Sequence, residues 1–163
     1  MAKTTGTQLN IGLSDKQRNG VVDILNAALA DEFVLYAKTR NYHWNVTGPQ
    51  FNDLHKFFEA QYQEIEGFID ATAERGRSLG GTALGSMQGF LKHTRLKENT
   101  GAPPAAMDMI ADLLGDHEAI IRQLREDITK AGDKHGDEGT ADFLTGNMEA
   151  HEKMAWMLRA FLG

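Results

Sequence analysis

Along most of this chain, apolar residues recur every three or four positions, which is the period of an amphipathic helix. Val22, Leu25, Leu29, Phe33 and Tyr36 form the first such stripe. Just before it stands Ser14-Asp15-Lys16-Gln17, a capping-box pattern that predicts a helix start at Ser14. That helix should carry His43 near its C-terminal end, until Thr47-Gly48-Pro49 interrupts it. Pro49 has no N–H to lose and suits the first turn of a second helix, which should run to about Arg77. Gly80-Gly81 closes this segment, and a crossover spans about residues 82–103, with a short helix near Ser86–His93. Pro103-Pro104 opens a third long helix, with Ile110, Leu113, His117, Ile120, Leu124 and Ile128 on one stripe. Residues 132–139 read as a loop. The last helix carries Leu144, Met148, His151, Ala155, Leu158 and Leu162 at alternating spacings of four and three. The pattern is all-α: a polar N-terminal tail over residues 1–13, expected to be flexible, and one domain over 14–163. Four amphipathic helices with a single long connection between the second and third match a one-crossover bundle.

Composition narrows the class. With 163 residues the chain can bury one sizeable core. No apolar run approaches the roughly 20 residues that span a bilayer, so no membrane association is expected. Residues 1–10 are polar and lack the apolar centre of a signal peptide. The chain has no Cys, which excludes disulfides and thiolate chemistry and fits a cytoplasmic protein. Seventeen basic against 23 acidic residues give a net charge of −6, which disfavours polyanionic partners.

The chemistry concentrates in His43, His55, Glu59, Asp70 and Glu74. His55 and Glu59 share a helix face, as do Asp70 and Glu74, because each pair is four residues apart. Fifteen residues separate His55 from Asp70, about 22 Å along a straight helix, too far for one ion to bridge. Either the pairs are unrelated charges on a solvated helix, or two copies of the helix run antiparallel. A two-fold axis near Glu64–Ile65 would then place the His end of one against the carboxylate end of the other, giving two identical interfacial sites. Mixed imidazole and carboxylate donors suit iron, zinc or manganese better than calcium or magnesium. No Glu in the chain is followed by His three residues later, so the Glu-x-x-His set of an intrachain di-iron bundle is missing.

Asn41-Tyr42-His43-Trp44-Asn45-Val46-Thr47-Gly48, continued by Phe51-Asn52-Asp53-Leu54-His55-Lys56-Phe57-Phe58-Glu59 and Asp70-Ala71-Thr72-Ala73-Glu74-Arg75-Gly76, resembles the signature of the Dps family, DNA-binding proteins from starved cells. The resemblance extends to Trp156-Met157-Leu158 near the end. It implies a ferritin-like four-helix bundle and a cage of twelve subunits. It also implies oxidation of Fe(II), preferably by hydrogen peroxide, at sites between subunits, with ferric mineral stored inside as protection against oxidative stress. On that reading His43 and His55 supply imidazoles from one subunit, and Asp70 and Glu74 supply carboxylates from its two-fold mate. Glu59 ligates or orients a second, weaker iron. Zinc is an alternative occupant of the same site. Trp44 would lie beside the site and take up an oxidising equivalent, or else simply pack in the core. Asp133, Asp137, Glu138 and Asp142 cluster where the last helix begins. The family places three-fold pores there, with Asp137 and Asp142 the best candidates to draw in iron; the alternative is helix-dipole chemistry. His117 and His151 read as core histidines, and Arg75 as the partner of a neighbouring carboxylate.

A second function class is a nucleoid-associated protein that condenses DNA around a structural metal site. Against it, the tail before Ser14 holds one basic residue, Lys3, so DNA binding is expected to be weak or absent.

Overall fold

A computed structural model describes residues 9–163; the first eight residues, most of the expected tail, lie outside it. Among the described residues the structure is entirely helical: α1 Asp15–Asn45, α2 Phe51–Ser78, α3 Met87–His93, α4 Ala106–Thr129 and α5 Glu138–Leu162. The four long helices pack as a bundle, α1 against α2 and α4 against α5, and the crossover carries α3 across α1. The core runs the length of the bundle through Leu25, Leu35, Tyr42, Phe58, Ile65, Leu113, Ile120, Leu144 and Leu158.

Local chemistry explains the helix ends. Ser14 caps α1 as its sequence predicts: its hydroxyl accepts from the Gln17 backbone N–H, and the Gln17 side chain accepts from the Ser14 N–H at 3.0 Å. Gly48 takes a φ of +107° in the turn to α2, a conformation that side-chain-bearing residues avoid. Pro49 lies in this turn rather than in the first turn of α2, which begins two residues later. Pro103 and Pro104 likewise precede α4, which starts at Ala106.

The expected loop over residues 132–139 is shorter than its glycines suggest. Beyond α4 the backbone continues as a π-turn over Lys130–Lys134, with the His135 N–H donating to the Lys130 carbonyl at 3.1 Å. Only residues 135–137 separate this turn from α5. Propensity reads Gly132, Gly136 and Gly139 as a break, but here the backbone bonds of the π-turn outweigh it.

Buried charges pin the crossover to the bundle. The Arg95 guanidinium joins Asp31 of α1 at 2.7 Å and Asp127 of α4 at 2.6 Å, and both carboxylates are buried. Thr94 adds a hydroxyl bond to Asp31 at 3.0 Å. One helical span away, Asn99 donates to the Tyr42 hydroxyl at 2.9 Å, which donates to Asp112 at 2.5 Å. Burial and that bond to Asp112 push the Tyr42 pKa up to about 12, so the phenol stays protonated as donor. Lys38 then joins Asp112 and Asp116.

Candidate metal centre

The short turn between α1 and α2 brings His43 and His55 face to face. Their rings stack with centroids 3.8 Å apart and planes 20° from parallel. Each ring is tied to the other's backbone: His43 Nδ1 lies 2.7 Å from the His55 carbonyl, and His55 Nδ1 lies 2.8 Å from the His43 carbonyl. The His43 carbonyl is available because it falls in the last turn of α1, where no later N–H claims it. A carbonyl only accepts, so both Nδ1 atoms carry the proton. In the neutral rings both Nε2 atoms therefore present a lone pair, the arrangement a histidine needs to bind a metal.

Aromatic rings hold this pair on both sides. Phe51 stacks on His55 at 5.2 Å, and Tyr62 meets His43 edge-on at 5.2 Å. The Tyr62 hydroxyl points to Glu59 Oε1 at 3.4 Å. Burial and the nearby Glu59 charge raise the Tyr62 pKa. His43, His55, Glu59 and Tyr62 thus share one neighbourhood.

Asp70 and Glu74 do not join it. Both are exposed on α2, about 22 Å (Asp70) and about 28 Å (Glu74) beyond His55 along an unbroken helix. Among the described residues no three His, Asp or Glu side chains of one chain gather around a point that could hold a metal ion. Asp70 instead rims a groove of about 800 Å³ between α1, α2 and α3, floored by Leu29, Phe33, Ile69 and Phe90.

Of the two roles expected for Trp44, packing in the core is the one the structure contradicts. It is 64% exposed, so it does not pack in the core, and its indole lies 5.1 Å from the Arg40 guanidinium rather than against His43. The aromatic residues on the histidines are Phe51, on His55, and, on His43, Tyr62. That residue is legible in principle, since it stands three after Glu59 and seven after His55, on the same helix face.

Asp137 is not a free pore carboxylate in this chain. It is buried at the N-cap of α5. There it accepts from the Thr140 N–H at 3.0 Å and the Thr140 hydroxyl at 2.6 Å, and it pairs with Arg75 at 3.0 Å. The helix-dipole alternative describes it, and it is the carboxylate expected beside Arg75. Asp133, Glu138 and Asp142 remain exposed.

His117 and His151 are core residues, as their stripes predict. Their Nδ1 atoms lie 2.9 Å apart, and His151 Nε2 bonds Glu32 at 2.8 Å. All three side chains are buried, and among the described residues His117 Nε2 and Glu32 Oε2 have no partner, so the histidines are only partly satisfied. Burial, reinforced by His151, holds the His117 pKa well below its usual value, so that ring stays neutral. Glu32 carries no sequence signal of its own and was not among the expected site residues.

Comparison with known proteins agrees with the geometry. Residues 22–163 match the model of the ferritin-like domain. An uncharacterized low temperature-induced protein of Nostoc sp. is 53% identical over 155 residues, covering 95% of this chain and 87% of its own. The DNA protection during starvation protein of Brevibacillus brevis is 39% identical over 142 residues, covering 87% and 94%. Among solved structures, a Dps protein from Bacillus brevis superposes with a TM-score of 0.87 at 36% identity, covering 93% of this chain and all of its own. A Dps protein from Vibrio cholerae, described as a member of a broad superfamily of ferritin-like diiron-carboxylate proteins, superposes at 0.89 and 32% identity, covering 99% and 100%. A bundle of this topology, a histidine pair at its α1–α2 end and these relatives together place the chain in the Dps family of ferritin-like proteins.

Proposed function

We propose that this chain is the subunit of a ferroxidase and iron-storage cage, in which two-fold related subunits share each oxidation site. The observation that carries the reading is the locked pair of histidines. Two Nε2 lone pairs are preorganised at one end of α2, while two carboxylates with no partner among the described residues lie on the same helix too far away to serve them. An antiparallel second copy supplies what is missing. His43 and His55 of one subunit bind Fe(II), Asp70 and Glu74 of its mate complete the site, and Glu59 receives or orients a second iron. The groove beside Asp70 is the face on which the second copy sits.

The chemistry follows from the donor set. Neutral imidazoles hold Fe(II) without collapsing its charge, and carboxylates favour the more highly charged ferric product. Few protein ligands leave coordination positions open to the oxidant, for which hydrogen peroxide is the preferred species. Twelve subunits would close a shell around the ferric mineral, and Asp142 is the exposed acidic residue best placed to draw cations toward a pore at the start of α5. The protective role suggested by the relatives' names follows, because each oxidation removes both Fe(II) and peroxide.

The test is anaerobic titration with Fe(II), followed by peroxide, read as absorbance of the ferric product. Two variants then check the partition of ligands. His43→Ala with His55→Ala, and Asp70→Ala with Glu74→Ala, should each be inactive alone. Co-assembled, they should regain partial activity, because each mixed dimer keeps one complete site. Mixed dimers that form without regaining any activity would overturn the shared site. Zinc retained in place of iron throughout would favour a structural metal.

A further inference from the structure

Glu32 of α1, His151 of α5 and His117 of α4 form an unbroken hydrogen-bonded relay through the middle of the bundle. Its two ends, Glu32 Oε2 and His117 Nε2, are buried and have no partner among the described residues. We propose that this relay is an acid-release latch, which holds the α4–α5 pair against α1 near neutral pH and lets it go in mild acid. The inference concerns the bundle itself and does not depend on the ferroxidase reading.

The number of protons in the relay is what makes it a latch. An ionised carboxylate only accepts, so His151 Nε2 carries the proton it shares with Glu32 Oε1 at 2.8 Å. In the neutral ring His151 Nδ1 then has a lone pair, which accepts from His117 Nδ1–H at 2.9 Å. The ring centres lie 5.1 Å apart, close to that distance plus two ring radii, so the two nitrogens point at each other. Two ligands of one metal would instead converge on a third point. One proton therefore lies between the rings, and there is no room for two.

Further protons have no satisfied place to go. If His151 becomes an imidazolium, the proton between the rings is its own, and the His117 proton must move to Nε2. No acceptor stands there among the described residues, and a buried N–H without one is costly. A second added proton sets two N–H groups against each other across 2.9 Å and breaks the link. Burial already holds the His117 pKa well below its usual value. Below about pH 6.5 an opened chain thus takes up protons that the closed bundle refuses, so acid favours opening. The imidazolium finds its missing acceptors in water, which it reaches when the α4–α5 pair moves off α1.

Little else around the relay can answer mild acid. The His151–Glu32 bond is the one side-chain hydrogen bond between α1 and α5 among the described residues. From α2 the Phe68 ring faces His151 at 5.5 Å, while Glu64, Glu66 and Asp70 are exposed. On α5, Glu149 is exposed and Glu152 pairs with Arg125. Arg95 of the crossover holds Asp31, the neighbour of Glu32, together with Asp127. Asp116, the neighbour of His117 on α4, pairs with Lys38 of α1 at 2.6 Å. Burial raises the Asp116 pKa, so it is the second group on this seam within reach of acid.

The test uses the full-length protein in its native assembly. Hydrogen–deuterium exchange is followed by mass spectrometry at about pH 7.5 and about pH 5.5, either side of the usual histidine pKa, with labelling times scaled for the intrinsic effect of pH. Peptides from the middle of α4 and α5 should lose protection several-fold at the lower pH, and the α1–α2 turn should not. His117→Gln should remove this response, because the glutamine carbonyl accepts the second His151 proton. Asp116→Asn should keep it. Solid-state NMR of the parent carrying 15N-histidine should show an Nδ1–H ring coupled to an Nε2–H ring across an N–H···N hydrogen bond, a coupling that fades at the lower pH. Equal protection at both pH values, a response that survives His117→Gln or vanishes in Asp116→Asn, or a parent without the inter-ring coupling at the higher pH would overturn the proposal. If His117→Gln does not fold, the exchange and the coupling of the parent decide alone.

Discussion

Replacing Asp137 separates two jobs that a carboxylate at the start of α5 could do. Its side chain is 6% exposed and serves Thr140 twice and Arg75 once, so its loss is first a structural perturbation. Removing an N-cap acceptor costs about 1 kcal/mol. Leaving the buried Thr140 hydroxyl without its acceptor adds about 1–2 kcal/mol. The Arg75 side chain is 31% exposed and can turn to water, so its share is small. Asp137→Ala should therefore destabilise the chain by about 3 kcal/mol, a fall in Tm of roughly 6–12 °C for a domain of this size. Asp137→Asn keeps one acceptor for the cap, but its amide NH2 cannot replace the second oxygen that accepts from Thr140, and the charge toward Arg75 is lost, so about 1–2 kcal/mol is expected. Asp142→Asn, at an exposed position, should stay within about 0.5 kcal/mol. The assay pairs thermal unfolding followed by circular dichroism with initial iron oxidation at low salt and limiting Fe(II). Asp142→Asn should slow that initial rate without changing Tm, and added salt should erase the difference through screening. Asp137→Asn should do the reverse. If Asp137→Asn slows oxidation as much as Asp142→Asn and leaves Tm unchanged, the capping argument fails and Asp137 steers iron after all.

Stability should also depend on acid through His117. Its folded pKa is depressed, so below about pH 6.5 the unfolded chain takes up a proton that the folded chain refuses, and stability falls by up to about 1.4 kcal/mol per pH unit. Denaturant unfolding between pH 7 and 5 should show this slope, and His117→Gln should flatten it; equal slopes in both proteins would refute the assignment. Light scattering should give about twelve times the 18.0 kDa chain mass, and a stable monomer active in iron oxidation would defeat the shared site. A mobility-shift assay near physiological salt should show little retardation of DNA, because each chain carries a net −6; strong shifting after deletion of residues 1–13 would reveal a basic surface patch instead.

The helices were legible because their stripes are long and their caps are local. Ser14 and Gln17 form their reciprocal bonds, and the stripe of α4 is buried from Ile110 to Leu124. The π-turn was not legible, because glycines mark a break equally well whether the backbone loops out or bulges. Within the candidate site, the faces of His55 with Glu59 and of Asp70 with Glu74 follow from spacing alone. The reciprocal tie between the two histidines does not, since it depends on how a five-residue turn closes. Tyr62 shares the face of His55 but looks like any buried aromatic until Glu59 is seen beside its hydroxyl. Asp137 and Asp142 are chemically alike in sequence; only packing makes one a cap and leaves the other in solvent. Trp44 follows His43 directly, yet neighbouring helical residues point about 100° apart, which is why it faces Arg40 and water.

α2 has a further consequence as a measuring rod. Its unbroken run from His55 to Glu74 fixes both the spacing and the angular phase of the two proposed half-sites, which never meet within one chain. One residue inserted between Glu59 and Asp70 would swing the carboxylates about 100° around the axis and shift them by about 1.5 Å. In an antiparallel pair the fault would strike both sites at once, since each takes one end of each rod. The stretch from Ala60 to Ile69 holds no proposed ligand, but under the shared-site proposal its length is as tightly constrained as the ligands themselves. Substitutions there can be absorbed by packing, whereas a change of length would disable both sites together.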